Sequence, residues 1–218
     1  MQALKLDPNL AEAHASLAQL RLREWDFSGA ELAFKRTTEL SPSYIEGHHR
    51  YSHFLIALGR FDESLVESRK VEELDPQSDL ASGHLANHFH YARDYPKALQ
   101  YYLTALKLVP NDAANQRMVG ELYYLQGKFR EAFDWYMKSL ASGGALQAAD
   151  ITALNEAFKT SGINGYFRKR LEQVKRSSSP TSRENDVVIA GLYARVGDKD
   201  QAFEWLEKAY ANRDPSLV

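Results

Sequence analysis

Cysteine is absent from the 218 residues. This excludes disulfides, thiolate metal ligands and a cysteine nucleophile, and leaves the redox compartment open. Long apolar runs are missing too. No stretch approaches the roughly twenty residues that a bilayer-spanning helix needs. The N-terminus MQALKLDPNLAEAH lacks the basic-then-apolar order of a secretory signal. Membrane insertion is therefore not expected; the chain is expected to be soluble, and its compartment stays open with the cytoplasm only slightly favoured. Net charge is nearly absent as well: 27 Lys and Arg against 29 Asp and Glu give −2, so bulk charge attracts neither nucleic acid nor anionic lipid. Arg168, Lys169, Arg170, Lys175 and Arg176 concentrate positive charge locally. No aromatic reader pattern accompanies them, and a basic helix end is explained by the helix dipole, so no nucleic-acid partner is expected. No G-x-S-x-G, Walker, G-x-G-x-x-G or H-E-x-x-H sequence occurs, and no enzymatic activity or cofactor is expected.

What is present is a period. Pro8, Pro42, Pro76 and Pro110 are spaced by 34 residues, and so are the rings of Phe27, Phe61, Tyr95 and Phe129. Ala30, Ser64, Ala98 and Ala132 keep a small residue at the same interval, and Leu6, Leu40, Leu74 and Leu108 each stand two residues before a proline. Small residues let two helices approach closely, and proline ends a helix because it lacks an N–H and clashes with the preceding turn. Each unit is therefore a helical hairpin. First helices are expected at about 11 to 24, 45 to 58, 79 to 92 and 113 to 126, with Leu17, Tyr51, Leu85 and Val119 facing inward. Second helices follow at about 27 to 40, 61 to 74, 95 to 108 and 129 to 142, and Gly59 and Gly127 fall where the first helix must reverse.

These columns resemble the tetratricopeptide repeat. The fourth unit fits closely through Val119-Gly120, Tyr123, Ala132 and Tyr136, and the third through Leu85-Ala86, Phe89, Ala98, Tyr102, Ala105 and Pro110. The second departs most, with Ser52, Ser64 and Ser68 at small or aromatic sites, and is expected to pack less tightly. The resemblance implies an all-α α-α superhelix, a solenoid of antiparallel hairpins. The expected organisation is the end of a preceding repeat at 1–10, repeats at 11–44, 45–78, 79–112 and 113–146, a degenerate hairpin at 147–176, an exposed serine-rich loop at 177–182 and a last repeat-like hairpin at 183–216. Ser161-Gly162-Ile163-Asn164-Gly165 is the expected turn of the degenerate hairpin. The stretch Leu192 to Tyr210, with Glu46 to Tyr51 and Leu58 to Glu63, is similar to repeat arrays of bacterial multidomain signalling proteins. That likeness implies a regulatory arm cut from a longer chain.

Such a resemblance implies protein binding in the groove lined by first helices. The side chains expected there are Glu12, Gln19, Glu46, His49, His53, Asn87, His90, Tyr91, Arg117, Glu121 and Tyr124. The expected partner is a protein or peptide, or another domain of the same parent chain; the alternative is a structural or oligomerisation spacer without a dedicated ligand, with repeat ends offering a route to self-association. The clamp by which some family members hold a C-terminal carboxylate is not reproduced, since its positions carry Ala15, Gln19, Arg50, Leu80 and His84. Six of the seven histidines sit on first helices of adjacent units, with His49/His53 and His84/His88 at i, i+4. That spacing suits Zn²⁺ or Ni²⁺, but no carboxylate completes a motif, so packed or solvated imidazole without metal is the leading expectation, with a pH-sensitive groove and a histidine-bound metal as the alternatives.

Overall fold

A computed structural model describes residues 2–144, 147–177, 186–214 and 217. Among the described residues the regular structure is twelve α-helices: α1 Gln2–Leu6, α2 Ala11–Arg23, α3 Phe27–Leu40, α4 Ile45–Ala57, α5 Phe61–Leu74, α6 Asp79–Tyr91, α7 Tyr95–Leu108, α8 Ala113–Leu125, α9 Phe129–Ser142, α10 Ala148–Ser177, α11 Asp186–Val196 and α12 Lys199–Ala211. None of these helices is long and apolar enough to cross a membrane. The fold class is the expected all-α array of antiparallel hairpins, pairing α2 with α3, α4 with α5, α6 with α7, α8 with α9 and α11 with α12. The second helices have the expected bounds. Each first helix ends a residue early, because Glu24, Leu58, Ala92 and Gln126 serve as C-caps. Most of the serine-rich loop, residues 178–182, and Pro215 lie outside the described residues.

The chain divides into two compact units, Met1–Pro110 and Asn111–Leu217. In the first, α2, α4 and α6 lie side by side, with α3 and α5 each wedged against the next first helix. Ala30, Ser64 and Ala98 are completely buried at the points where paired helices meet. Phe34 stacks on Tyr51 and contacts Phe54, filling the space between the first two hairpins. The second hairpin is as buried as its neighbours. Its departure from the pattern appears instead as polar cost, since the Ser64 and Ser68 hydroxyls are buried with no hydrogen-bond partner among the described residues.

In the second unit, α8 and α9 meet over the buried Ala132, and α10 folds back on itself. The reversal takes only Ser161 and Gly162 rather than the expected five residues, and the helix resumes at Ile163. Gly165 explains why: a Cβ there would stand 2.2 Å from the Ala157 carbonyl oxygen, so glycine inside the helix lets the two halves touch. Gln173 then donates to the Asp150 carbonyl and Arg176 pairs with its carboxylate, closing an antiparallel hairpin. Phe133 stacks on Phe158 at 4.0 Å and Tyr136 on Tyr166 at 5.6 Å, joining this hairpin to α9.

The turn inside each hairpin repeats one backbone device. Trp25, Gly59, Arg93 and Gly127, spaced by 34, all have φ between 62° and 73°. The next amide reaches back five residues, as Arg60 N–H to Leu55 O at 2.9 Å and Asp94 N–H to Phe89 O at 2.8 Å. This is a Schellman ending whose left-handed residue is usually glycine. Where glycine is replaced, by Trp25 or Arg93, the following residue is aspartate and caps the next helix: Asp26 accepts from Gly29 N–H and Asp94 from Lys97 N–H. Such a cap contributes about 1 kcal/mol, comparable to the roughly 1–2 kcal/mol cost of a left-handed non-glycine residue. Replacing the exposed Arg93 by glycine relieves that cost against a larger unfolded-state entropy, so Arg93→Gly should stabilise the protein by about 0.5–1 kcal/mol. A rise in urea midpoint at unchanged m-value checks this.

Candidate functional site

Within the first unit, the adjacent faces of α4 and α6 carry a histidine cluster. His49 and His53 stand one turn apart on α4, and His84 comes from α6. His53 Nε2 lies 3.0 Å from His84 Nδ1, a hydrogen bond whose direction depends on tautomer, and the His49 and His84 rings lie tilted at 37° with centroids 3.7 Å apart. One ring nitrogen from each of the three lies within 4.8 Å of the other two. The Glu46 carboxylate holds His49 Nδ1 at 3.1 Å and accepts from Arg50 Nε at 2.7 Å. Burial pushes the His84 imidazole down to about 2, helped by repulsion from His49 and His53. His53, exposed on its outer edge but packed against two other rings, is pushed down to about 4 by burial and by His49. Burial likewise lowers His49, against the opposing pull of Glu46.

A single register position explains why this cluster forms here. Gln19, His53, Asn87 and Glu121 are spaced by 34 on the first helices. In the third and fourth hairpins the phenol at the matching place on the second helix donates to that residue: Tyr102 to Asn87 Oδ1 at 2.6 Å, and Tyr136 to Glu121 Oε2 at 3.0 Å. In the second hairpin that place is Ser68, which is too short to reach, and His53 turns to His84 instead. Of the remaining residues expected in a groove, Glu12 and Tyr91 are exposed and Gln19 is half-buried. His90 contacts the rings of Tyr95 and Tyr102 on its own second helix. The His84/His88 pair noted in the sequence does not act together, because His88 is buried away from the cluster, beside Phe89.

The second unit holds a cavity of about 490 Å³. Arg117 and Glu121 of α8 line one side, and Tyr166, Phe167, Arg170 and Leu192 of α10 and α11 are among the residues closing the other. Arg195 pairs with Glu121 at 2.5 Å and lies over the rings of Tyr124 and Phe167. Burial alone would lower the Arg195 guanidinium, but the Glu121 carboxylate more than offsets this and raises it. Burial lowers Arg170, and the opposing pull of Tyr166 and the Asp150 carboxylate does not offset it. Three guanidiniums and one carboxylate thus border an otherwise largely apolar space. Arg117, Glu121 and Tyr124 are legible in the sequence as first-helix residues; the wall built by α10 and α11 is not, because those helices depart from the repeat.

The fold and these faces define a helical-hairpin repeat protein. Residues 76–142 match the family model described as tetratricopeptide repeat. A 57-residue stretch is 39% identical to anaphase-promoting complex subunit 6 of Dictyostelium discoideum, covering 26% of this chain and 7% of that protein. The match thus spans only a small part of that curated relative. Among solved structures, the chain superposes on one from the anaphase-promoting complex hetero-tetramer Cut9–Hcn1 with TM-score 0.68 and 13% identity, over 98% of this chain and 42% of that one. It also superposes on the type IV pilus biogenesis factor PilW with TM-score 0.64 and 16% identity, over 93% of each chain. Residues 76–142 thus carry tetratricopeptide repeats, and the chain shares the helical-hairpin fold of these solved structures.

His88 offers a test of how burial of imidazole shapes this surface. Its Nδ1 has no hydrogen-bond partner among the described residues, and burial lowers its proton affinity, with Arg69 adding to the effect and Asp62 opposing it. The folded state therefore keeps His88 neutral while the unfolded chain takes up a proton near the ordinary value of 6.5. Stability is consequently lost as pH falls below that value, by up to about 1.4 kcal/mol per pH unit for one such group. His88→Leu should lie within about 1 kcal/mol of wild type at neutral pH, because an unsatisfied polar atom is exchanged for apolar packing. Its advantage should then grow as pH falls toward 5.5, read from urea midpoints at both values.

Proposed function

We propose that this chain is a binding scaffold that takes a segment of a protein partner, or of another domain of its own parent chain, on its first-helix faces. The observation that carries the reading is the cavity of about 490 Å³ in the second unit. That volume lies in the range of pockets that accept a compact group, and its lining of aromatic and aliphatic side chains with a few placed charges suits one. Its excess of guanidinium over carboxylate favours an apolar side chain next to an acidic group, such as a peptide's Asp, Glu or terminal carboxylate. A role in assembly also agrees with the names of the similar proteins, two of which belong to the anaphase-promoting complex. Binding, rather than catalysis, is the function these features support.

Gly191 lines the cavity, and a Cβ there would meet nothing within 4 Å. Gly191→Trp should therefore fill the space without unfolding the helix. In fluorescence polarisation against a panel of acidic-apolar peptides, it should weaken binding at least tenfold, about 1.4 kcal/mol, at unchanged melting temperature. Loss in His53→Ala with binding intact in Gly191→Trp would move the contact to the first unit. Binding untouched by either change would remove it from the first-helix faces and overturn the reading. A second reading, self-association through a repeat end, is favoured by one feature: Phe203, Leu206 and Tyr210 share a face of α12 with exposures of 65%, 37% and 64%. Light scattering at increasing concentration distinguishes the two.

A further inference from the structure

The clustered imidazoles of the first unit take no part in the binding described for the second. We propose that His49, His53 and His84 form a binding site for a transition-metal dication of the zinc class, with a fourth coordination position left open. Three observations support it. The ring nitrogens already converge: with Zn–N bonds of about 2.0–2.1 Å a tetrahedral ion holds its ligands about 3.4 Å apart, and His53 Nε2 and His84 Nδ1 stand at 3.0 Å. All three nitrogens lie within 4.8 Å of one another, and the His49 and His84 rings, whose centroids stand 3.7 Å apart, swing apart to complete the set.

The second observation is the carboxylate behind the ligand. Glu46 engages His49 Nδ1, fixing the tautomer that carries its proton there and leaving Nε2 as the donor atom. Glu46 is itself anchored by Arg50. Ligand histidines almost always hand their other N–H to such a group, which orients the ring and raises its basicity. The third observation is availability. Ser68 removes the phenol that would otherwise engage His53, and among the described residues the His53 and His84 rings hydrogen-bond only to one another. The cluster is thus not absorbed by the hydrogen bonding that holds Asn87 and Glu121 in the neighbouring hairpins.

Binding replaces the hydrogen shared by His53 and His84 with the ion. That proton moves to the other nitrogen of its own ring, so each imidazole stays neutral and donates one lone pair. Three imidazoles suit Zn²⁺, Ni²⁺ or Cu²⁺ and disfavour Ca²⁺ and Mg²⁺, which take oxygen ligands. His53 reaches solvent, so the open position faces outward and accepts water or a side chain from a bound partner.

The test is calorimetric titration of Zn²⁺ into the full chain carrying no polyhistidine tag, with Co²⁺ as a spectroscopic probe. One ion per chain is expected, with the intense visible absorption of four-coordinate cobalt. His49→Gln and His53→Gln, both on the accessible side, should each weaken Zn²⁺ binding at least tenfold while far-UV circular dichroism is unchanged. Glu46→Gln should weaken it about ten- to a hundredfold, the range for such outer-shell partners. His88→Gln should bind as wild type does. The proposal is overturned if wild type takes up no Zn²⁺, if affinity survives in His53→Gln, if His88→Gln loses it, or if cobalt shows only weak six-coordinate absorption. Because His84 is buried and its replacement can disturb folding, the two accessible histidines decide the outcome.

Discussion

The close approach of paired helices at a small, fully buried residue is the contact on which the rest of this structure depends. Ala30, Ser64, Ala98 and Ala132 have no exposed surface. A larger side chain at any of them would separate the helices and break the contacts on either side, since overpacking a tight interior costs about 1–3 kcal/mol. Fixing that contact fixes the register of the hairpin, and the register carries the aromatic, leucine and proline columns with it. Ser64 shows that size outranks polarity there. Its hydroxyl is buried without a partner among the described residues, a penalty of about 1–3 kcal/mol that the hairpin tolerates rather than accept bulk.

The turn between paired helices is the second constraint, and it has two solutions. Gly59 and Gly127 adopt the left-handed conformation without strain and are followed by Arg60 and Lys128, which provide no side-chain cap. Trp25 and Arg93 adopt it at a cost and are followed by aspartates that do. The same backbone path is thus held by absence of strain in one pair of hairpins and by a hydrogen bond in the other. Turn geometry is maintained along the chain although the residues at the turn are not.

The period makes most of the helical skeleton legible, because its columns record contacts within one hairpin. Contacts of other kinds stay hidden. Nothing in Trp25 or Arg93 announces a positive φ; only their spacing from Gly59 and Gly127 does. The reversal in α10 falls inside the glycine-containing stretch but is shorter than that stretch, since Gly165 reads as a turn residue until its approach to Ala157 is seen. The histidine spacing suggests two pairs along single helices, whereas the cluster joins two members of one helix to one of the next. Similarly, Arg117 and Glu121 are visible as polar first-helix residues, but the cavity they border needs α10 and α11, where the repeat gives no register to follow.

Chemical variety along this array comes from a few positions changed against a constant frame. The residue at 19, 53, 87 or 121 faces its second helix at one place, and what stands there decides its fate. A tyrosine locks Asn87 and Glu121 into the hairpin, and Glu121 then draws Arg195 across the cavity mouth over Tyr124 and Phe167. A serine leaves His53 to find His84 on the neighbouring first helix. The first case builds a rigid wall beside an apolar space; the second assembles three nitrogen donors across two hairpins. Neither outcome alters the small-residue contact or the turn. A repeat can therefore acquire distinct binding faces without loss of its fold, because the position that sets their chemistry is not one that sets helix spacing.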